Sequence, residues 1–159
     1  MKRAARRSRR PDNHLSMAEW DTLFQQLLVR SGGMCEGRTP ACAAPRRFLL
    51  GMPREQVSVQ HRRAQGMGGT ALDETHSLAN LLLLCGTGVS GCHGWVECDE
   101  RDLAEQRGLW VRHEYRDGAP VPIDEYPLVL WSGRRVMLHP AQPVYLPHPD
   151  PWGMNERRP

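Results

Sequence analysis

The sequence predicts an α+β protein of short elements around a small, irregular core. Apolar residues recur first at helical spacing and later at strand spacing. Glycine and proline are frequent, 15 and 13 of 159 residues, so much of the chain is expected in loops. Four of the five cysteines form two pairs of identical spacing, which can staple a thin core.

The first helix is expected to start at Ser16. Glu19, three residues on, completes a capping box. Trp20, Leu23, Phe24, Leu27 and Leu28 then fall on one face, and Gly32-Gly33 stops the helix near Ser31. Alternation of Val57, Val59 and His61 with polar residues predicts a strand at 57–61. Residues 64–79 carry Gly66, Gly68 and Gly69 without apolar periodicity and read as a loop. The apolar run 81–84 predicts a buried strand, and 86–91 a tight turn. A second helix is expected over 92–107, with Trp95, Val96 and Leu103 inward and Gly108 just past its end. Strands are expected at 109–115, 128–131 and 134–138, the last two joined by Ser132-Gly133. Six prolines in the last twenty residues suggest a segment that wraps the surface or stays mobile.

Charge divides the chain unevenly. Six of 21 basic residues lie in the first ten positions, which leaves 15 basic against 18 acidic residues, a net of −3. Residues 1–15 therefore read as a disordered basic arm, either attracting phosphate or simply solvated. Residues 16–123 read as the main domain and 124–159 as a proline-rich extension. No run of 18 apolar residues exists, and no hydrophobic segment follows the charged N-terminus. A cytoplasmic protein without membrane partners is expected.

In a reducing compartment, spaced cysteine pairs point to metal ligation rather than disulfides. Six residues separate Cys35 from Cys42, and six separate Cys85 from Cys92. Four thiolates satisfy tetrahedral zinc and leave no open position, as in a structural site. Gly86, Gly88 and Gly91 let the second pair close. Cys98 has no partner in this scheme and reads as a small core residue.

Between and beside these pairs lie Val59-Gln60-His61-Arg62-Arg63, a glycine-bearing loop, Asn80 before the second strand, and Cys92-His93-Gly94-Trp95 opening a helix. This order over residues 35–97 closely resembles the HNH endonuclease family, and in particular zinc-containing HNH proteins of phages. The resemblance implies a ββα-metal (His-Me finger) core with a four-cysteine zinc site, a flanking helix and C-terminal strands. It also implies a metal-dependent endonuclease that nicks or cuts DNA.

Phosphodiester hydrolysis needs a water nucleophile, a base and a cation. By resemblance, His61 is the general base, Asn80 orders the loop that holds it, and His93 ligates a catalytic Mg²⁺ or Mn²⁺. Glu97, one helical turn later, can reach the same ion. The family places Asp, Glu or His just before the base. Here that residue is Gln60, whose amide oxygen can coordinate a cation but carries no charge. Arg62 and Arg63 point to opposite faces of a strand, so one is a candidate phosphate clamp. Arg46, Arg47 and Arg54 can extend the basic surface. His76 is a minor candidate for the site, while His113, His139 and His148 read as surface or loop residues.

Resemblance to phage proteins implies DNA packaging beside terminase subunits, in the host cytoplasm, with defence and mobile-element roles open. Gln60 favours an alternative: a catalytically weak or inactive zinc-stabilised DNA-binding or packaging accessory protein. A zinc module that binds only protein is a third reading.

Overall fold

The computed structural model of the chain describes residues 15–43, 49–64 and 73–152. Arg46, Arg47, the loop glycines Gly66, Gly68 and Gly69, and the basic arm except Leu15 lie outside the described residues. The fold is mixed α+β, with three small antiparallel sheets among the described residues.

Helix α1 spans Met17–Ser31 and starts as its capping box dictates. The Ser16 hydroxyl accepts from Glu19 N at 3.3 Å, and Ser16 N donates to the Glu19 carboxylate at 2.7 Å. It ends where Gly32 turns left-handed, with Gly33 N bonded to Leu28 O at 2.8 Å. Leu27 and Leu28 of the expected apolar face are buried and pack toward the central strands.

Strands β1 (Val57–His61) and β2 (Leu81–Cys85) pair antiparallel, with Val57 opposite Cys85 and His61 opposite Leu81. Every residue of β2 is buried, so a continuous leucine run, not alternation, marks it. The 3₁₀ turn Asp73–His76 lies in the stretch expected to be loop.

The single helix expected over 92–107 is instead three pieces. Helix α2 (Gly91–Gly94) passes into a π-helical turn (Trp95–Asp99), and α3 (Arg101–Gln106) follows a break at Glu100. A wide turn adds a residue and shifts the helical phase by roughly 100°. Ala104 is therefore buried where Leu103 was expected, and Leu103 is 45% exposed. Trp95 and Val96, ahead of the shift, are buried as expected.

The strand expected at 109–115 is also absent. Leu109 and Trp110 spend their amides on Ala104 O to close α3, and Val111 N reaches Arg62 O at 2.8 Å. Only β3 (Tyr115–Arg116) pairs, with β4 (Ala119–Pro120). Beyond it, β5 (Leu128–Val129), β6 (Arg135–Leu138) and β7 (Tyr145–Pro147) form one antiparallel sheet. Leu128, Val136 and Leu138 belong to the same buried cluster as β2. Among the described residues, no break in the core marks the boundary expected at 123–124.

A buried ion pair ties these parts together. Arg30 donates to both Glu36 oxygens at 2.8 Å, and to the carbonyls of Leu78 and Leu81. Glu36 also accepts from Leu83 N and from the Tyr145 hydroxyl, each at 2.7 Å. One carboxylate thus joins α1, β2 and β7. Among the described residues, no helix is long and apolar enough to cross a membrane.

Removing one partner of a buried pair strands the other charge. Glu36→Gln keeps the volume and is expected to cost about 3 kcal/mol or more of stability. Denaturant unfolding of the metal-loaded protein measures it, and a loss under about 1 kcal/mol would place the pair outside the stabilising framework.

Candidate metal centre and adjoining histidine cluster

Cys35 and Cys42 follow α1, Cys85 closes β2, and Cys92 lies in α2. Their ligand atoms all lie within 4.8 Å of one another. The Cys85 and Cys42 sulfurs are 3.8 Å apart, far beyond a disulfide bond. Four sulfurs roughly 2.3 Å from a tetrahedral ion would be about 3.8 Å apart. The cluster can thus hold a metal ion such as zinc. Among the described residues, it is the group of His, Cys, Asp or Glu side chains that converges this closely.

Backbone and side-chain donors already face the sulfurs. Cys85 N donates to Cys35 Sγ at 3.3 Å, while Thr39 donates to Cys92 Sγ from its amide at 3.3 Å and its hydroxyl at 3.2 Å. Hydrogen bonding to Cys42 as acceptor holds the proton on Cys35 and pushes its pKa upward, whereas hydrogen bonding from Cys35 drives Cys85 downward. Crowded sulfurs cannot all ionise without a cation to balance them. Arg107 lies close enough to feel the charge of Cys92 and Cys35, and it donates to Gly37 O at 2.6 Å.

The turn that brings Cys85 to Cys92 needs glycine twice. Gly86 has φ +88°, and a Cβ there would sit 2.0 Å from Ser90 O. Gly91 has φ +60°, and its Cβ would meet Cys85 O at 2.8 Å. Gly88 has open space. Cys98 is exposed, not a core residue, because the π turn carries it outward to donate to Gly88 O.

Because His93 follows Cys92 directly, the cysteine cluster fixes where this histidine lies. The Nδ1 atom of His93 is buried with no hydrogen-bond partner. Burial lowers its pKa, and the Glu97 carboxylate opposes that shift. Gln60 Nε2 donates to Glu97 Oε1 at 2.5 Å and to His61 O at 3.0 Å. The proposed cation set of His93, Gln60 and Glu97 therefore shares one neighbourhood. The amide nitrogen of Gln60, not its oxygen, faces Glu97. To ligate an ion beside Glu97, this amide must turn over.

His61 stands at the end of β1. Burial, then the charges of His76 and His93, pushes its pKa down to about 4. Its Nε2 lies 3.3 Å from His76 Nδ1, and Trp20 of α1 approaches both rings edge-on. Asn80 closes the loop between the strands. Its Oδ1 accepts from Arg63 N at 2.7 Å, and its Nδ2 donates to Thr75 O at 2.9 Å.

Neither strand-end arginine is placed to clamp a phosphate. Arg62 is completely buried, and its guanidinium donates to the carbonyls of Gly108, Ala79, Tyr126 and Pro127. Burial pushes its pKa down to about 9. Arg63 is buried too, paired with Glu74 and lying over the Tyr126 ring. The alternation that would expose one of them ends with β1, after which the chain turns inward at both residues.

Accessible basic groups lie elsewhere. Arg54 is exposed over Phe24, and Arg101 is exposed beside Glu97, which it meets at 3.5 Å. The sequence signal for Arg101 was the i,i+4 pair with Glu97. Trp20 carried no functional signal, because its helical spacing accounts for it fully. His113, His139 and His148 each bond to nearby loop backbone.

Compared with protein-family models, curated proteins and solved structures, the chain matches none.

Two measurements check this geometry. Gly86→Ala is expected to cost more than about 2 kcal/mol and to weaken metal retention, while Gly88→Ala stays near neutral. Equal thermal stability and metal content for both would contradict the described turn. The second concerns His61, whose folded pKa lies below the ordinary 6.5. Its neutral form therefore contributes stability above pH 6.5, lost as pH falls toward about 4. At roughly pH 5.5, NMR should find the His61 ring mainly neutral; a mainly protonated ring would show that burial does not control it.

Proposed function

We propose that the chain is a metal-dependent endonuclease of the HNH type, with a ββα-metal core, which hydrolyses DNA phosphodiester bonds. The observation that carries this reading is that His61 on β1 lies near enough to His93, in the helical segment after β2, to feel its charge, while Gln60 beside His61 bonds Glu97 of that segment at 2.5 Å. The order strand, strand, helix and the order His61, Asn80, His93 agree with that core. Zinc is the ion proposed for Cys35, Cys42, Cys85 and Cys92, where it stabilises the fold.

The catalytic cation, Mg²⁺ or Mn²⁺, would be held by His93 and Glu97, with Gln60 after its amide turns. The orphaned Nδ1 of His93 and the adjacent carboxylate fit such an ion. When bound, the cation supplies a positive charge against the phosphate and the departing oxygen. His61 is kept neutral by its surroundings and takes the proton from the attacking water. Asn80 anchors the peptide on either side of the loop, so the His61 backbone and the Thr75–His76 step keep their spacing. Among the described residues, Arg54 and Arg101 are exposed cations open to backbone phosphates. Packaging beside terminase subunits is the biological role that the phage resemblance favours.

A second reading is a catalytically weak or inactive zinc-stabilised DNA-binding or packaging accessory protein. The Gln60–Glu97 hydrogen bond favours it, since it fills a ligand position with an uncharged amide that already has a partner.

Plasmid nicking with Mg²⁺ or Mn²⁺ separates the two. Activity is expected to fall by about 100-fold or more in His61→Ala. His93→Ala should lose activity while keeping its zinc. Equal cleavage by wild type and His61→Ala would sink the enzyme reading. Zinc loss in His93→Ala would show that the two metal sites share a ligand.

A further inference from the structure

His76 lies outside the set that the family resemblance supplies. It ends the Asp73–His76 turn, fifteen residues from His61, yet its Nδ1 comes to 3.3 Å from His61 Nε2. The ring centroids are 5.3 Å apart at 64°, so the rings meet edge to face and do not stack. Trp20 packs against both, 5.4 Å from the His76 centroid and 6.2 Å from that of His61. Thr75, directly before His76, is buried, and its carbonyl is held by Asn80 Nδ2 at 2.9 Å. The His76 backbone is therefore pinned by the same asparagine that bonds Arg63, two residues past His61.

We infer that His76 is a positioning residue that selects the working tautomer of His61, accepting a hydrogen bond from His61 Nε2–H and leaving the lone pair of His61 on Nδ1. This inference rests on the nuclease reading above. A neutral imidazole carries one proton and one lone pair, so fixing the proton on one nitrogen decides which nitrogen is the base. When His61 Nδ1 takes a proton from water, the ring becomes an imidazolium, and the proton on Nε2 stays in place. The hydrogen bond to His76 Nδ1 then becomes charge-assisted and strengthens as charge develops. No proton passes to His76. Its function is that of the group that orients a base, with its Nδ1 as acceptor.

Two variants separate positioning from packing. His76→Phe keeps a ring against Trp20 and removes the acceptor, whereas His76→Gln retains a carbonyl acceptor. With the zinc-loaded full chain and Mn²⁺, the Phe variant is expected to lose about 10–100-fold in kcat on plasmid DNA, with KM and zinc content unchanged. The Gln variant is expected to recover part of that loss. Ring ¹⁵N shifts of His61 should report the Nε2–H tautomer in the wild type and a mixture in the Phe variant. Wild-type His61 protonated on Nδ1 would overturn the inference, as would an unchanged tautomer and unchanged kcat in the Phe variant. If even the wild type fails to cut DNA, the nuclease reading falls, and the ¹⁵N comparison still decides whether His76 sets the tautomer.

Discussion

The convergence of four sulfurs is the constraint on which the other positions depend. The sulfurs come from the segment after α1, the end of β2 and the start of α2, so a cation held among them joins three parts of the chain. Such binding contributes directly to folding in a domain of short elements. It also sets distances. His93 follows Cys92 in the chain, and β2, which ends in Cys85, pairs with β1, which ends in His61. The structural cluster thus fixes both histidines relative to one another.

Polar burial reinforces that frame in an unusual way for so small a core. Arg30 and Arg62 are both buried, but they are satisfied differently. Arg30 has a carboxylate partner, and Arg62 is held by carbonyl oxygens from three separate segments. Arg62 thereby connects the residue beside His61 to the C-terminal part of the chain. A buried guanidinium surrounded by carbonyls requires those carbonyls to stay in place, because each unmet donor would be costly. The result is a stiff setting for the end of β1, where the proposed base stands.

Part of this was legible in the residues. The capping box of α1, the two central strands and the cysteine cluster followed from local signals that tertiary packing left intact. The break in the second helix did not, because one extra residue in a π turn shifts phase without any distinctive residue type. That shift explains why Leu103 and Cys98 both face solvent. The strand expected at 109–115 found no partner edge beyond Arg62 O. Arg62 and Arg63 looked like phosphate contacts because strand alternation would turn one of them toward the site. Burial of a charged side chain depends on carbonyls far away in sequence, which no local pattern displays. His76 was visible only as a minor candidate, since its relation to His61 spans the loop that Asn80 closes.

The central claim is that one ion bound wholly by sulfur organises this fold. Zinc-edge X-ray absorption on the purified full chain tests it most directly. The account predicts one zinc per chain, surrounded by four sulfurs at about 2.3 Å and by no nitrogen or oxygen. A first shell containing an imidazole nitrogen, with His93 replacing a thiolate, would contradict it.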